Sequence, residues 1–187
     1  MGKTYDKLDD NLIAFIEAQK MFFVATAPLS EDGHVNMSPK GYDSFKVIDE
    51  STVAYLDLGG SGIETQAHVQ ENGRITIMFC AYDGPANIVR LYGTGEVVDF
   101  GHKDYAKMLA MFPGFERARA VITIKVHRVT DSCGWGVPFY EFKGERDQLQ
   151  RYVENPNRTD QEWMDRRYEA NAESIDGLPG LTKENAK

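Results

Sequence analysis

The sequence predicts a mainly β protein, a closed or nearly closed antiparallel barrel with peripheral helices. Three observations predict it. Apolar runs of strand length, rich in β-branched and aromatic residues, recur from residue 21 to residue 130. Turn-forming clusters such as Glu31-Asp32-Gly33 and Asp83-Gly84-Pro85 separate them. Helical patterns are few and short beside strands that follow one another closely.

Leu8, Leu12, Ile13, Phe15 and Ile16 fall at helical spacing, and the apolar run 21–27 has strand length, so a short helix leads into a buried strand. Residues 34–40, 44–49 and 52–58 then read as strands of an antiparallel meander, and 61–72 as a helix. In 73–82, Ile75, Ile77, Phe79 and Ala81 alternate with Thr76, Met78, Cys80 and Tyr82, which gives a strand with two distinct faces. Residues 86–100 are long enough for a strand bent at Gly93 or Gly95, where a bulge lets a sheet curl. A second helix is expected over 102–112. A last long strand follows over 119–130, with Ile122, Ile124 and Val126 on one face. From Lys143 the chain is strongly charged, with helical stretches broken at Asn155-Pro156-Asn157. The barrel is therefore assigned to residues 1–145, and a helical extension packed on the barrel or a dimer partner to 146–187; a partly disordered terminus is the alternative.

The 187 residues suit one ordinary domain that buries its core without disulfides or a structural metal. Cys80 and Cys133 lie far apart, show no metal-ligand spacing and read as free thiols of a reducing compartment. No stretch approaches the roughly 18 apolar residues of a membrane helix. The first ten residues lack the apolar core of a signal peptide, so a cytoplasmic location is expected; Gly2 without Ser or Thr at the sixth position is a weak myristoylation signal. The net charge of −8 argues against a broad nucleic-acid surface, so an anionic ligand would have to be held locally.

The stretch Tyr55-Leu-Asp-Leu-Gly-Gly-Ser-Gly-Ile-Glu-Thr65 holds three glycines ahead of a helix. Ser61 and Glu64 have the spacing of a capping box, in which the Ser61 hydroxyl accepts from the Glu64 N–H and the carboxylate turns back to the Ser61 N–H. Capping does not require Gly59, Gly60 and Gly62, which allow a ligand close to backbone N–H groups, as in a phosphate loop. Both readings stand on local grounds, and Glu64 in the first turn would repel a phosphate. Lys40 ends a strand one hairpin away from Tyr55–Asp57 and is placed to supply the missing charge, or is an exposed strand-end lysine. Arg90 sits among apolar neighbours and must snorkel, pair or bind an anion. Trp135, between two glycines and before Pro138, presents its indole to a planar ligand, to the core or to a dimer partner. His34, His68, His102 and His127 have no partner at metal-site spacing and read as surface or core histidines. No nucleophile elbow, paired carboxylates or Cys/His couple is present, so any chemistry would rest on a cofactor.

Taken in order, Val35–Gly41, Val53–Phe79, Asn87–Val97 and Ser132–Phe142 resemble the pyridoxamine 5′-phosphate oxidase-like family of FMN-binding split barrels, over about residues 18 to 145. The resemblance implies a split β-barrel homodimer with FMN in clefts between subunits. Val35, Asn36, Met37, Ser38, Pro39 and Lys40 match the first FMN-binding strand, and Tyr55, Leu56 and Asp57 the second. Ser61, Gly62 and Thr65 match the phosphate loop and helix start. Ile88 and Arg90, with the Trp135 turn, fall where the other subunit usually completes the cleft.

The sequence departs from the oxidase proper in two places. The adjacent Arg-Lys pair of its phosphate loop is missing, and so are the Arg-x-His element and the helix that hold pyridoxine phosphate; residues 142–152 offer Arg146 but no histidine. The expectation is an FMN-dependent oxidoreductase of unknown small substrate. The alternatives are a non-catalytic flavin-binding or storage module and, lower, pyridoxamine 5′-phosphate oxidation; haem and deazaflavin remain open, though no histidine is placed for haem.

Overall fold

The computed structural model describes residues 2–183; Met1 and residues 184–187, the last four of the predicted extension, lie outside the described residues. In chain order the elements are β1 Thr4–Tyr5, α1 Asp10–Ala18, β2 Phe22–Thr26, β3 Asn36–Lys40, β4 Phe45–Asp49, β5 Thr52–Asp57, α2 Glu64–Asn72, β6 Arg74–Cys80, β7 Ile88–Asp99, α3 Tyr105–Leu109, β8 Ala120–Ser132, α4 Gln148–Val153 and α5 Asp160–Ala170. One sheet runs β3-β2-β6-β7-β8-β5-β4, with β1 paired to β8. Every pairing in it is antiparallel.

The predicted alternation sets the inner face. Val24, Val53, Tyr55, Ile75, Ile77, Phe79, Leu91, Ile122 and Ile124 share one buried cluster. Helix α1 closes it with Leu12 and Ile16, one turn apart, and the Asp9 carboxylate caps the helix by accepting from the Leu12 N–H at 2.8 Å. The bulge expected at Gly93 or Gly95 lies opposite Gly93, in the partner strand: Tyr92 pairs with Arg128 but Gly93 with Val126, leaving His127 of β8 as the extra residue. A Cβ at Gly93 would run into Ile124 and the Lys125 carbonyl, so glycine permits this close strand approach.

Strand β5 and the first part of β8, from Ala120 to Ile124, are covered on both faces. Ala54, Leu56 and Val121 point away from the barrel interior into a second cluster with Phe112, Val153 and Trp163. Val153 and Trp163 come from α4 and α5, so the charged extension lies on the outer wall of its own barrel. Burying such apolar side chains is worth roughly 2 kcal/mol each, which anchors helices of low mean hydropathy.

Three expectations are corrected. The helix predicted over 61–72 begins at Glu64, its N-cap is Ile63, and no side chain caps it. A capping box forms instead at the start of α5, where the Glu162 N–H donates to Thr159 Oγ1 at 3.2 Å and the Thr159 N–H to Glu162 Oε2 at 2.9 Å. The helix predicted over 102–112 is regular only over Tyr105–Leu109. Among the described residues no helix is long and apolar enough to cross a membrane.

Candidate functional site

A cleft of about 450 Å³ opens where β3 and β5 end beside the glycine loop and the start of α2. Of the sequence-predicted residues it brings together Asn36, Ser38, Pro39, Lys40, Leu56, Asp57, Ser61, Gly62 and Thr65. They converge because β3 and β5 each deliver one end to the same side of the sheet. Strand β3 is an edge strand paired only to β2, so its other edge has free backbone donors and acceptors.

The other predicted residues lie elsewhere. Val35 and Met37 are exposed and line a second hollow with Ser61–Glu64 and Glu173–Ile175. Tyr55 is 0% exposed, with its ring 5.7 Å from Phe22 in the barrel core; burial pushes its phenol well above the usual value. Its side chain is thus a core element, because position 55 falls on the inner face of β5. Ile88, Arg90 and Trp135 are not on the cleft of this single chain. Arg90 pairs, one of its three predicted options, donating to Ser132 Oγ at 3.0 Å. Trp135 is 87% exposed.

Behind the cleft lies a buried ion pair. Arg119, just before β8, donates to Asp57 Oδ2 at 2.8 Å and Oδ1 at 3.0 Å through Nη2, and the two residues are 3% and 1% exposed. Gln66 donates to Asp57 Oδ2 at 2.9 Å. Burial pushes the Asp57 carboxyl up, but the Arg119 guanidinium, then Lys40 and the hydrogen bonds, outweigh it and hold it well below the usual carboxylate range. Lys40 lines the same cleft.

A second network positions the polar side chains of β3. Asn36 Nδ2 donates to Thr65 Oγ1 at 2.9 Å and Thr26 Oγ1 at 3.1 Å, while Ser38 Oγ donates to Asn36 Oδ1 at 3.2 Å. Thr26 Oγ1 in turn lies 3.0 Å from His68 Nδ1. The Thr26 hydroxyl accepts from Asn36 and shares one further hydrogen bond with Nδ1, while the buried Nε2 of His68 has no hydrogen-bond partner among the described residues. Burial lowers the His68 pKa, and the fully buried ring takes the place of a core histidine, one of the two readings open to it.

The loop itself is held from behind. Arg167 Nη1 donates to the Gly59 carbonyl at 3.1 Å, Arg119 Nη1 to that of Gly60 at 3.3 Å, and Asn171 Nδ2 to that of Ser61 at 3.1 Å. Gly59, at φ 85°, makes the sharp exit from β5 that only glycine adopts at low cost. Glu64 lies on the other side, its carboxylate against Gly62 and accepting from the Ile175 N–H at 3.4 Å.

Sequence reasoning missed Arg119, Gln66, Arg167 and Asn171. Arg119 carried a signal close to that used for Arg90, an arginine beside apolar neighbours. Arg167 and Asn171 carried none, since they sit in a tail where most residues are charged or polar. Among the described residues no His, Cys, Asp and Glu cluster could hold a metal ion.

Fold and cleft together define the class: an antiparallel split β-barrel with a polar, glycine-walled cleft at the end of its edge strand. The family model described as pyridoxamine 5′-phosphate oxidase matches residues 8–133, and the chain belongs to that family. It is 38% identical over 194 residues to the pyridoxamine 5′-phosphate oxidase family protein ustO of Aspergillus flavus, covering 95% of this chain and 77% of the relative. Among solved structures it is similar to HupZ of Group A Streptococcus, with 25% identity, a TM-score of 0.53 and coverage of 65% of this chain and 91% of the other.

Proposed function

We propose that the chain is a flavoprotein that binds FMN non-covalently in this cleft and acts, as a homodimer, as an oxidoreductase on a small substrate. The observation that carries the reading is the glycine loop. Among the described residues the N–H groups of Gly60, Ser61 and Gly62 have no protein acceptor. A Cβ at Gly60 would meet nothing within 4 Å, so this corner is an open cradle. Lys40 lines the same cleft, and the Ser61 and Thr65 hydroxyls add polar contacts. These donors fit a phosphate, and the free edge of β3 fits the alternating donors and acceptors of a flavin ring.

In this reading the loop N–H groups, Ser61 and Thr65 hold the phosphate and Lys40 supplies charge near it. Asn36, fixed by Thr26, Thr65 and Ser38, keeps the β3 edge in register with the ring. Bound FMN supplies the redox step, taking up and returning a hydride. The homodimer rests on the exposed aromatic side chains Trp135, Phe139, Tyr140 and Phe142, a patch that a monomer would leave in water.

The test is the absorption spectrum and mass of the ligand that co-purifies. A colourless protein that also takes up no added FMN would sink the reading. Anaerobic mixing of holo-protein with NADH, NADPH or pyridoxamine 5′-phosphate then separates enzyme from binding module: bleaching of the flavin identifies an electron donor, and no bleaching by any of them favours the module. The module has one observation in its favour, since Asp57 and Arg119 neutralise each other inside the wall of the cleft.

A further inference from the structure

We infer that the C-terminal extension, through Arg167 and Asn171, sets the phosphate affinity of the cleft and replaces the basic residues that its loop lacks. The inference rests on the flavin reading above.

The argument begins with peptide geometry. All peptide bonds among the described residues are trans, and in a planar trans peptide the N–H points opposite to the carbonyl that precedes it. The Gly59, Gly60 and Ser61 carbonyls are held by Arg167, Arg119 and Asn171. The N–H groups of Gly60, Ser61 and Gly62 are thereby turned away from those side chains and onto the open side of the loop. Three successive donors pointing the same way make an anion cradle. A loop of three glycines has no preference for this arrangement by itself, since glycine is the most permissive residue. The side chains behind it impose the choice, and two of the three belong to α5 or the residue that ends it.

Charge gives the second, independent line. Arg119 is balanced by Asp57, but Arg167 is 7% exposed and forms no ion pair among the described residues. Its Nη2 donates to the Tyr152 hydroxyl at 2.6 Å, its guanidinium lies 5.4 Å from the centre of the Tyr152 ring, and its Nε has no partner. A buried guanidinium without a counter-ion is costly. An anion on the far side of the loop supplies the counter-charge through the intervening peptide dipoles. Glu64 is the carboxylate that lines the cleft against Gly62. Among the described residues no loop N–H donates to it, and a phosphate dianion fills the role better.

The experiment titrates apo-protein with FMN and, separately, riboflavin, which lacks the phosphate, with inorganic phosphate as competitor for FMN. Wild-type protein is compared with Arg167→Met, Arg167→Lys and Asn171→Ala. The expected result is a loss of FMN affinity of about tenfold or more in Arg167→Met, a smaller loss in Asn171→Ala, partial recovery in Arg167→Lys, and little change for riboflavin in all three. Thermal unfolding of each variant accompanies the titration, and Asn171→Ala, which removes one hydrogen bond and no charge, keeps the test open if Arg167→Met folds poorly. Equal losses for both ligands, or no loss for either, in variants that fold would overturn the inference while leaving the flavin reading intact. Wild-type protein that binds neither FMN nor phosphate would overturn both.

Discussion

Asp57 and Arg119 form a bidentate ion pair, 2.8 and 3.0 Å long, between the last residue of β5 and the residue that leads into β8. The pair ties the back of the glycine loop to the barrel, since Arg119 also donates to the Gly60 carbonyl and the Asp57 carboxylate accepts from the Gly59 N–H at 3.3 Å. Removing one partner leaves the other charge buried and alone. Arg119→Met should therefore destabilise the protein by about 3–5 kcal/mol, and the double variant with Asp57→Asn should recover much of that loss. Chemical denaturation of the two variants checks this; additive losses would deny the coupling.

The same pair sets a response to acid. Because the folded Asp57 pKa is depressed, its contribution is fully present above its ordinary value of 3.8 and is lost as pH falls through the lower folded value. Stability measured from pH 6 downward should fall more steeply below about pH 4 in the wild type than in Asp57→Asn. Parallel profiles would mean that another carboxylate governs the acid limb.

Ser61 and Thr65 do not cap α2, so replacing them with alanine should weaken FMN binding while leaving helix stability nearly unchanged. Loss of a hydrogen bond to a charged phosphate is worth roughly 1.5–3 kcal/mol, and riboflavin should be affected less. Equal weakening of both flavins would assign these residues to loop structure alone.

Glu64 stands against Gly62 and lines the cleft. Glu64→Gln removes the like charge but keeps the shape, so it should tighten FMN binding several-fold and leave riboflavin unchanged. A weaker FMN complex would show that the carboxylate helps to hold the cofactor.

His34 and Asp176 fasten the end of the extension to the turn before β3, with Nδ1 2.6 Å from Oδ1. The hydrogen bond to Asp176 raises the His34 pKa, and the same contact lowers that of Asp176. The ionic part of the tether is fully present below the ordinary histidine value of 6.5 and is lost as pH rises through the raised value, leaving the bond from the His34 N–H to Asp176 Oδ2; at the other end it fades as pH falls from 3.8 through the depressed carboxyl value. Limited proteolysis near residue 176 should accelerate from pH 6 to pH 9, and His34→Gln should abolish the difference.

Much of the fold was legible because burial imposes a period of two on strands. The alternation in β6 and β8 gave both faces, and Gly93 marked the bulge because close strand approach tolerates no Cβ there. That the Tyr55 side chain points into the core was not legible, because the two faces of a strand look alike when both are apolar. The cleft was half legible: the strand ending in Lys40 and the glycine loop announced themselves by residue type, whereas the capping box was assigned to Ser61 and Glu64 on spacing that Thr159 and Glu162 share.

By itself the sequence determined the antiparallel barrel, the loop and the family, because these depend on local pattern and on the order of elements. Only the tertiary structure decided what stands behind the loop. Arg119 meets Asp57 across 62 positions, Arg167 meets Gly59 across 108 and Asn171 meets Ser61 across 110. No local rule registers such contacts, since they join positions far apart in the chain that meet only when β5, β8 and α5 are packed together.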